Sequence, residues 1–208
     1  MILAAIATAF LAPLATAADF FPLTPGTTWT YQISGDFSGS VLQKALEPTE
    51  IEGQSEPLPA LSVSSQGKVV STVFYQAKSQ GVYVLGTDPS KLYATPQPVF
   101  EFGDKGTKWT FNGPSPYEND KASTLRMTGQ SKAIGMRDVL GVKRECIEVK
   151  TETKIGPSDE ASTTVKRTSI YAKGVGLVET QETSQFGKRQ TKLTTKLAKF
   201  EPAEGSIL

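Results

Sequence analysis

The chain has 208 residues, with 22 Lys and Arg against 21 Asp and Glu, one cysteine and no histidine. A net charge of +1 offers no electrostatic attraction for nucleic acid. The lack of histidine excludes histidine-based triads, histidine metal sites and the usual near-neutral general base. The lone Cys146 can close no internal disulfide and leaves zinc or copper almost without ligands.

Met1 to Ala17 carries no charged side chain and ends in Ala15-Thr16-Ala17, the small-x-small pattern that signal peptidase cleaves. Residues 1–17 therefore read as a signal peptide and 18–208 as a single β-rich domain in the periplasm or outside the cell. The leader lacks the usual basic start, and an uncleaved anchor is the rival reading. Against the anchor, the apolar run is short for a span, Pro13 interrupts it and no basic stop-transfer cluster follows. No later run is apolar and long enough to cross a bilayer, so the mature chain is expected to have no transmembrane span.

Strand patterns fill the rest. Trp29, Tyr31 and Ile33 alternate with polar residues, which puts the large side chains on one face. Lys68–Gln76 and Val82–Leu85 are rich in β-branched and aromatic residues. Leu125, Met127 and Ala133 share a face, and Ile147, Val149, Thr151, Thr153 and Ile155 form another alternating set. Further strands run over about 162–172, 177–183 and 191–200. Turns at Ser34-Gly35-Asp36, Ser65-Gln66-Gly67, Gly156-Pro157-Ser158-Asp159 and Phe186-Gly187-Lys188 separate them. Pro89, Pro96, Pro98, Pro114 and Pro116 mark two irregular loops, and Met136–Leu140 is the best candidate for a short helical turn. The pattern predicts an all-β fold: a single antiparallel, strongly curved sheet forming a barrel or half-barrel.

Gly26-Thr27-Thr28-Trp29-Thr30-Tyr31 is echoed by Gly106-Thr107-Lys108-Trp109-Thr110-Phe111. The echo reads either as two related half-sheets or as a recurrent strand start, with glycine freeing the turn and aromatics anchoring one face.

Phe20-Phe21-Pro22-Leu23-Thr24-Pro25-Gly26-Thr27-Thr28-Trp29-Thr30-Tyr31 and the later Tyr171-Ala172-Lys173-Gly174-Val175-Gly176-Leu177-Val178 resemble the two motifs of exported bacterial β-proteins of largely unknown function, the TapB-like group. The resemblance implies an envelope protein built on a curled antiparallel sheet, and it brings no catalytic residues. Independently of it, Phe20, Phe21 and Leu23 are suited to plug one end of the core. Gly174 and Gly176 suit a tight turn between strands.

Several smaller features have a chemical and a structural reading. Cys146, near Arg144 and Lys150, reads either as a reactive thiol or as a small residue filling a barrel position. Ser65-Gln66-Gly67-Lys68 matches the Ser-x-x-Lys acylation motif but sits between two strands, as a hairpin turn would. Glu118, Asn119 and Asp120, or Asp159 and Glu160, offer oxygens but not the spacing of a calcium loop. Lys188, Arg189, Lys192, Lys196 and Lys199 line the last strand, where they would discourage edge pairing or touch anionic headgroups.

No catalytic residue, metal or cofactor is therefore expected. The leading reading is a non-catalytic envelope protein that binds a lipid or other apolar ligand in a curled sheet. Trp29, Tyr31, Trp109 and Phe111 are the candidate cavity walls, or else core filling. The alternatives are an assembly protein acting through an envelope protein partner and, less favoured, a histidine-free hydrolase with paired carboxylates.

Overall fold

The computed structural model describes residues 15–103, 106–115, 123–158 and 161–205. The expected calcium oxygens of Glu118, Asn119, Asp120, Asp159 and Glu160 lie outside them, as do residues 1–14 of the leader. A short 3-10 turn, Ala17–Phe20, precedes twelve strands. In chain order these are β1 Thr28–Gly35, β2 Gly39–Ala45, β3 Ala60–Ser65, β4 Lys68–Lys78, β5 Gly81–Gly86, β6 Gln97–Glu101, β7 Thr107–Pro114, β8 Thr124–Val139, β9 Val142–Gly156, β10 Thr163–Ala172, β11 Gly176–Phe186 and β12 Arg189–Glu201. No helix among the described residues is long and apolar enough to cross a membrane.

The strands form one antiparallel sheet in the order β6-β5-β4-β3-β2-β1-β12-β11-β10-β9-β8-β7. This sheet curls into a nearly closed barrel. Its edges, β6 and β7, approach each other, and Ser131 Oγ of β8 donates across the seam to the Glu101 carbonyl of β6 at 2.6 Å. The all-β expectation holds. The two copies of the Gly-x-x-Trp-x-aromatic motif open β1 and β7, the first strands of two six-stranded meanders. One copy lies where β1 pairs with β12, the other where β7 meets β6 across the seam.

Two readings are corrected. Met136–Leu140 is not helical: β8 runs to Val139 and pairs through Met136↔Glu145 and Val139↔Val142 into a tight hairpin. The local pattern was ambiguous, and the cross-strand ladder decided it. The lysines of β12 do not guard an edge either, because β12 is hydrogen-bonded to β1 on one side and β11 on the other. Two of them pair instead with carboxylates, Lys196 with Glu179 at 3.9 Å and Lys199 with Glu201 at 2.8 Å. Ser65-Gln66-Gly67-Lys68 is the β3–β4 hairpin, with positive φ at Gln66 and Gly67.

The core is densest at the end where the N-terminal segment enters. Phe20 is buried, and Phe21 stacks near Tyr75 and Tyr171 with ring centroids at 5.0 and 6.3 Å. The two family-like motifs meet here. Gly174 N–H donates to the Asp19 carbonyl at 2.7 Å, Trp29 Nε1 donates to the Val175 carbonyl at 2.5 Å, and the Tyr31 hydroxyl donates to the Leu177 carbonyl at 3.1 Å. Gly176 holds φ +96° with Pro22 and the Trp29 indole in van der Waals contact with its Cβ position, so a side chain there would fit the space but strain the backbone. Both motifs are thus accounted for as the seal of one barrel end.

Cys146 and Ile147 are consecutive and both buried. Successive strand residues face opposite ways, so β9 is covered on both faces here. Ile147 packs with Phe100 and Trp109, whereas Cys146 packs with Trp29 and with Val139 from the β8–β9 hairpin tip. The register shift between Ala133 and Gly135, where Gly135 has φ +76°, lets this hairpin bend over the sealed end.

Candidate functional site

The opposite end is not sealed. On the concave face of β8–β11, an open trough of about 630 Å³ is lined by Leu125, Met127, Ile155, Val165 and Phe186, together with Thr151, Thr153, Ser184, Arg167 and Glu182. Its volume falls within the range of small-molecule sites. Strand alternation builds it in rows. Leu125↔Ile155 and Thr163↔Phe186 form the outermost row, followed by Met127↔Thr153 and Val165↔Ser184, then Thr151↔Arg167 and Arg167↔Glu182. The outer rows are mostly apolar, and the inner row carries the charges.

Arg167 grips Glu182 across the β10–β11 ladder, with Nε at 3.0 Å and Nη2 at 2.5 Å from Oε2. Ser184 Oγ donates to the other oxygen, Oε1, at 3.1 Å. Both carboxylate oxygens are therefore engaged, and the pair presents a neutral, strongly dipolar surface to the trough. One row deeper, Ser169 and Thr180 share a hydrogen bond of 3.0 Å. Below that layer sits Tyr171. Burial pushes its hydroxyl up to about 12, against the opposing pull of Arg167 and of a hydrogen bond with Ser169.

The four aromatic residues singled out from the sequence do not share one place. Trp29 and Tyr31 belong to the sealed end, in the cluster with Cys146 and Leu197. Trp109 lies in the second cluster, with Phe100 and Ile147. It pairs with Gly129, which pairs with Thr151, so it continues the Arg167 row around the wall. Its buried Nε1 has no hydrogen-bond partner. Phe111 is half-buried, pairs with Met127 and so stands beside the trough's middle row. Arg167 and Glu182 escaped the reading of the sequence: period two places Arg167 on the inward face, but its pairing with Glu182 appears only in the β10–β11 register. Arg167 shares its face with Val165, Ser169 and Tyr171, and its half-exposed side chain meets the Glu182 carboxylate across the ladder.

Two other clefts, of about 800 and 610 Å³, flank the N-terminal segment on either side of Pro22 and Gly174. The larger is a seam against the Gln54–Pro59 loop, and the smaller adjoins Arg144 and Lys173. Neither opens into the barrel interior, which the Trp29 cluster closes at that end. Among the described residues no group of three or more His, Cys, Asp or Glu is placed to hold a metal ion.

No protein-family model matches the chain, and no curated protein matches it in sequence. Three solved structures are similar. A candidate lipoprotein from Parabacteroides distasonis superposes with a TM-score of 0.53 at 14% identity, over 91% of this chain and 100% of that one. A candidate exported protein with a YmcC-like fold from Bacteroides fragilis follows with a TM-score of 0.47 at 12% identity, over 91% and 100%. The hypothetical lipoprotein YmcC from Escherichia coli has a TM-score of 0.36 at 12% identity, over 86% of each chain. The first of these shows that this chain shares its overall fold with a bacterial protein described as a lipoprotein candidate.

Proposed function

We propose that the protein is an exported, non-catalytic envelope protein of the TapB-like group that holds an apolar or amphiphilic ligand, such as a lipid, in the trough over β8–β11. The observation that carries the reading is the order of the rows: apolar walls at the mouth and the Arg167–Glu182 pair at the floor. That order matches a molecule with a hydrocarbon body and a polar group entering first. The uncharged leader pattern and the shared fold with a lipoprotein candidate support the envelope location. Glu182 is the only carboxylate among the trough's described lining residues, and it is already paired. The site is therefore better suited to holding a ligand than to paired-carboxylate hydrolysis.

The test is native mass spectrometry of the protein purified from its own envelope. A solvent-extractable adduct is expected on the native chain, and its loss is expected in Val165→Trp, which fills the middle row. A bare polypeptide mass for the native chain would end the ligand reading.

A further inference from the structure

We propose that the open end of the barrel docks on a bilayer surface rich in anionic phospholipid, through three neighbouring hairpin tips. The β1–β2, β3–β4 and β11–β12 turns lie at the same end of the up-and-down sheet, and the order β4-β3-β2-β1-β12-β11 makes them adjacent. Each carries large apolar side chains that the fold leaves in water. Phe37 is 65% exposed, Val69 64%, Val70 63% and Phe186 62%. Scattered exposed apolar residues are ordinary, but their recurrence on three adjacent hairpin tips at one end points to a contact surface.

Charge selects the occupant. The segments 34–40, 64–70 and 185–192 hold Lys68, Lys188, Arg189 and Lys192 against a single carboxylate, Asp36. That carboxylate already accepts the Lys192 backbone N–H at 2.6 Å. A chain with a net charge of +1 thus concentrates positive charge where it also exposes apolar side chains. Aromatic and aliphatic tips with a basic collar suit the headgroup boundary of an anionic leaflet, where the rings enter and the cations meet phosphate. The β1–β2 tip is held in place for this. Asp36 N–H donates to the Lys192 carbonyl at 3.0 Å, and Gly35 packs so close to that carbonyl that a Cβ would lie 2.3 Å from it. Phe186 belongs both to the rim and to the trough wall, so docking would place the trough mouth against the lipid. The docking itself does not depend on the ligand reading.

The experiment is flotation of the full chain with vesicles of equimolar phosphatidylglycerol and phosphatidylcholine, and with phosphatidylcholine alone. Binding to the mixed vesicles is expected, weakening with added salt and much weaker on phosphatidylcholine alone. F37S/F186S and K188E/R189E are each expected to lower the affinity about tenfold or more. All four positions are exposed, so the variants should keep the native melting temperature. If F37S/F186S does not fold, K188E/R189E carries the test. Val165→Trp should dock as the native chain does, which separates failure of docking from failure of the ligand reading. Absence of native binding, equal binding to both vesicle types, or undiminished binding by the folded rim variants would each overturn the proposal. So would loss of binding in L140N/V142S, which alters the exposed hairpin at the opposite end.

Discussion

Gly129 is the residue whose absent side chain shapes the barrel wall. The Trp109 indole lies flat over it, and a Cβ there would stand 2.1 Å from Cε2 and 2.2 Å from Cζ2. No side chain fits without moving a ring that packs with Phe100 and Ile147. Gly129→Ala is therefore expected to destabilise the fold by about 2 kcal/mol or more, through overpacking of the core. Gly39→Ala is the matched control, because nothing lies within 4 Å of its Cβ position. Its cost should stay within about 0.5 kcal/mol, as for ordinary surface substitutions. Urea midpoints of the two variants check this, and equal midpoints would show that the indole can move freely. The aromatic pairing was half legible in the sequence. The echoed Gly-x-x-Trp-x-aromatic motif anchors Trp109 on one face of its strand, but no local pattern says that the residue opposite must be Gly129. That pairing depends on a register set by residues twenty positions apart.

Among the elements, the β8–β9 hairpin is where reading and structure diverge most, and the reasons are physical. Its turn residues Leu140 and Gly141 both have positive φ, +51° and +84°, as a two-residue hairpin turn of the primed kind requires. Asn, Asp or Gly usually fills the first of these positions, so Val139-Leu140-Gly141-Val142 gives little hint of a turn. The extra residue at the Ala133/Gly135 shift then changes which side chains face in, burying Val139 while leaving Met136 and Val142 exposed. Neither effect has a period that a sequence window detects. By contrast, Gly156-Pro157 and Gly187-Lys188 lie at turns with conventional residues, and Gln66-Gly67, though Gln66 shares the φ of Leu140 at +51°, sits among the polar residues Ser64, Ser65 and Lys68 that mark it as a turn. The strain at Leu140 leads to a prediction. Asn tolerates the left-handed region, and Leu140 is half exposed, so Leu140→Asn loses little burial. The variant should gain about 0.5–1 kcal/mol, seen as a melting temperature a few degrees higher. A lower melting temperature would mean that Leu140 makes contacts the native fold depends on.

At the scale of the whole molecule, what was legible is the class and curvature of the sheet and the sealed end. The site was not, because Arg167 and Glu182 come from different strands and acquire meaning only when the barrel turns both inward. The interior also has a property that no single segment shows. Tyr31, Tyr75 and Tyr171 converge inside the barrel, where each hydroxyl is pushed above the usual tyrosine value of about 10, chiefly by burial. Mutual repulsion of the phenolate forms adds to the shift for Tyr31 and Tyr75. The folded state therefore keeps these protons at pH values where the unfolded chain releases them. Their contribution to stability is fully present below pH ~10 and is lost as the pH rises above it, until the folded hydroxyls themselves ionise, for Tyr171 at about 12. Each such group gives a slope of up to about 1.4 kcal/mol per pH unit, so the three together approach about 4. Denaturant unfolding followed from pH 8 to pH 11 is expected to show near-constant stability and then a steep fall beginning near pH 10. Tyr75→Phe should remove about a third of that slope while leaving the curve below pH 9 parallel to the native one. A native stability that stays level through pH 11 would mean that the interior hydroxyls reach water in the folded protein, and that the barrel is open at both ends.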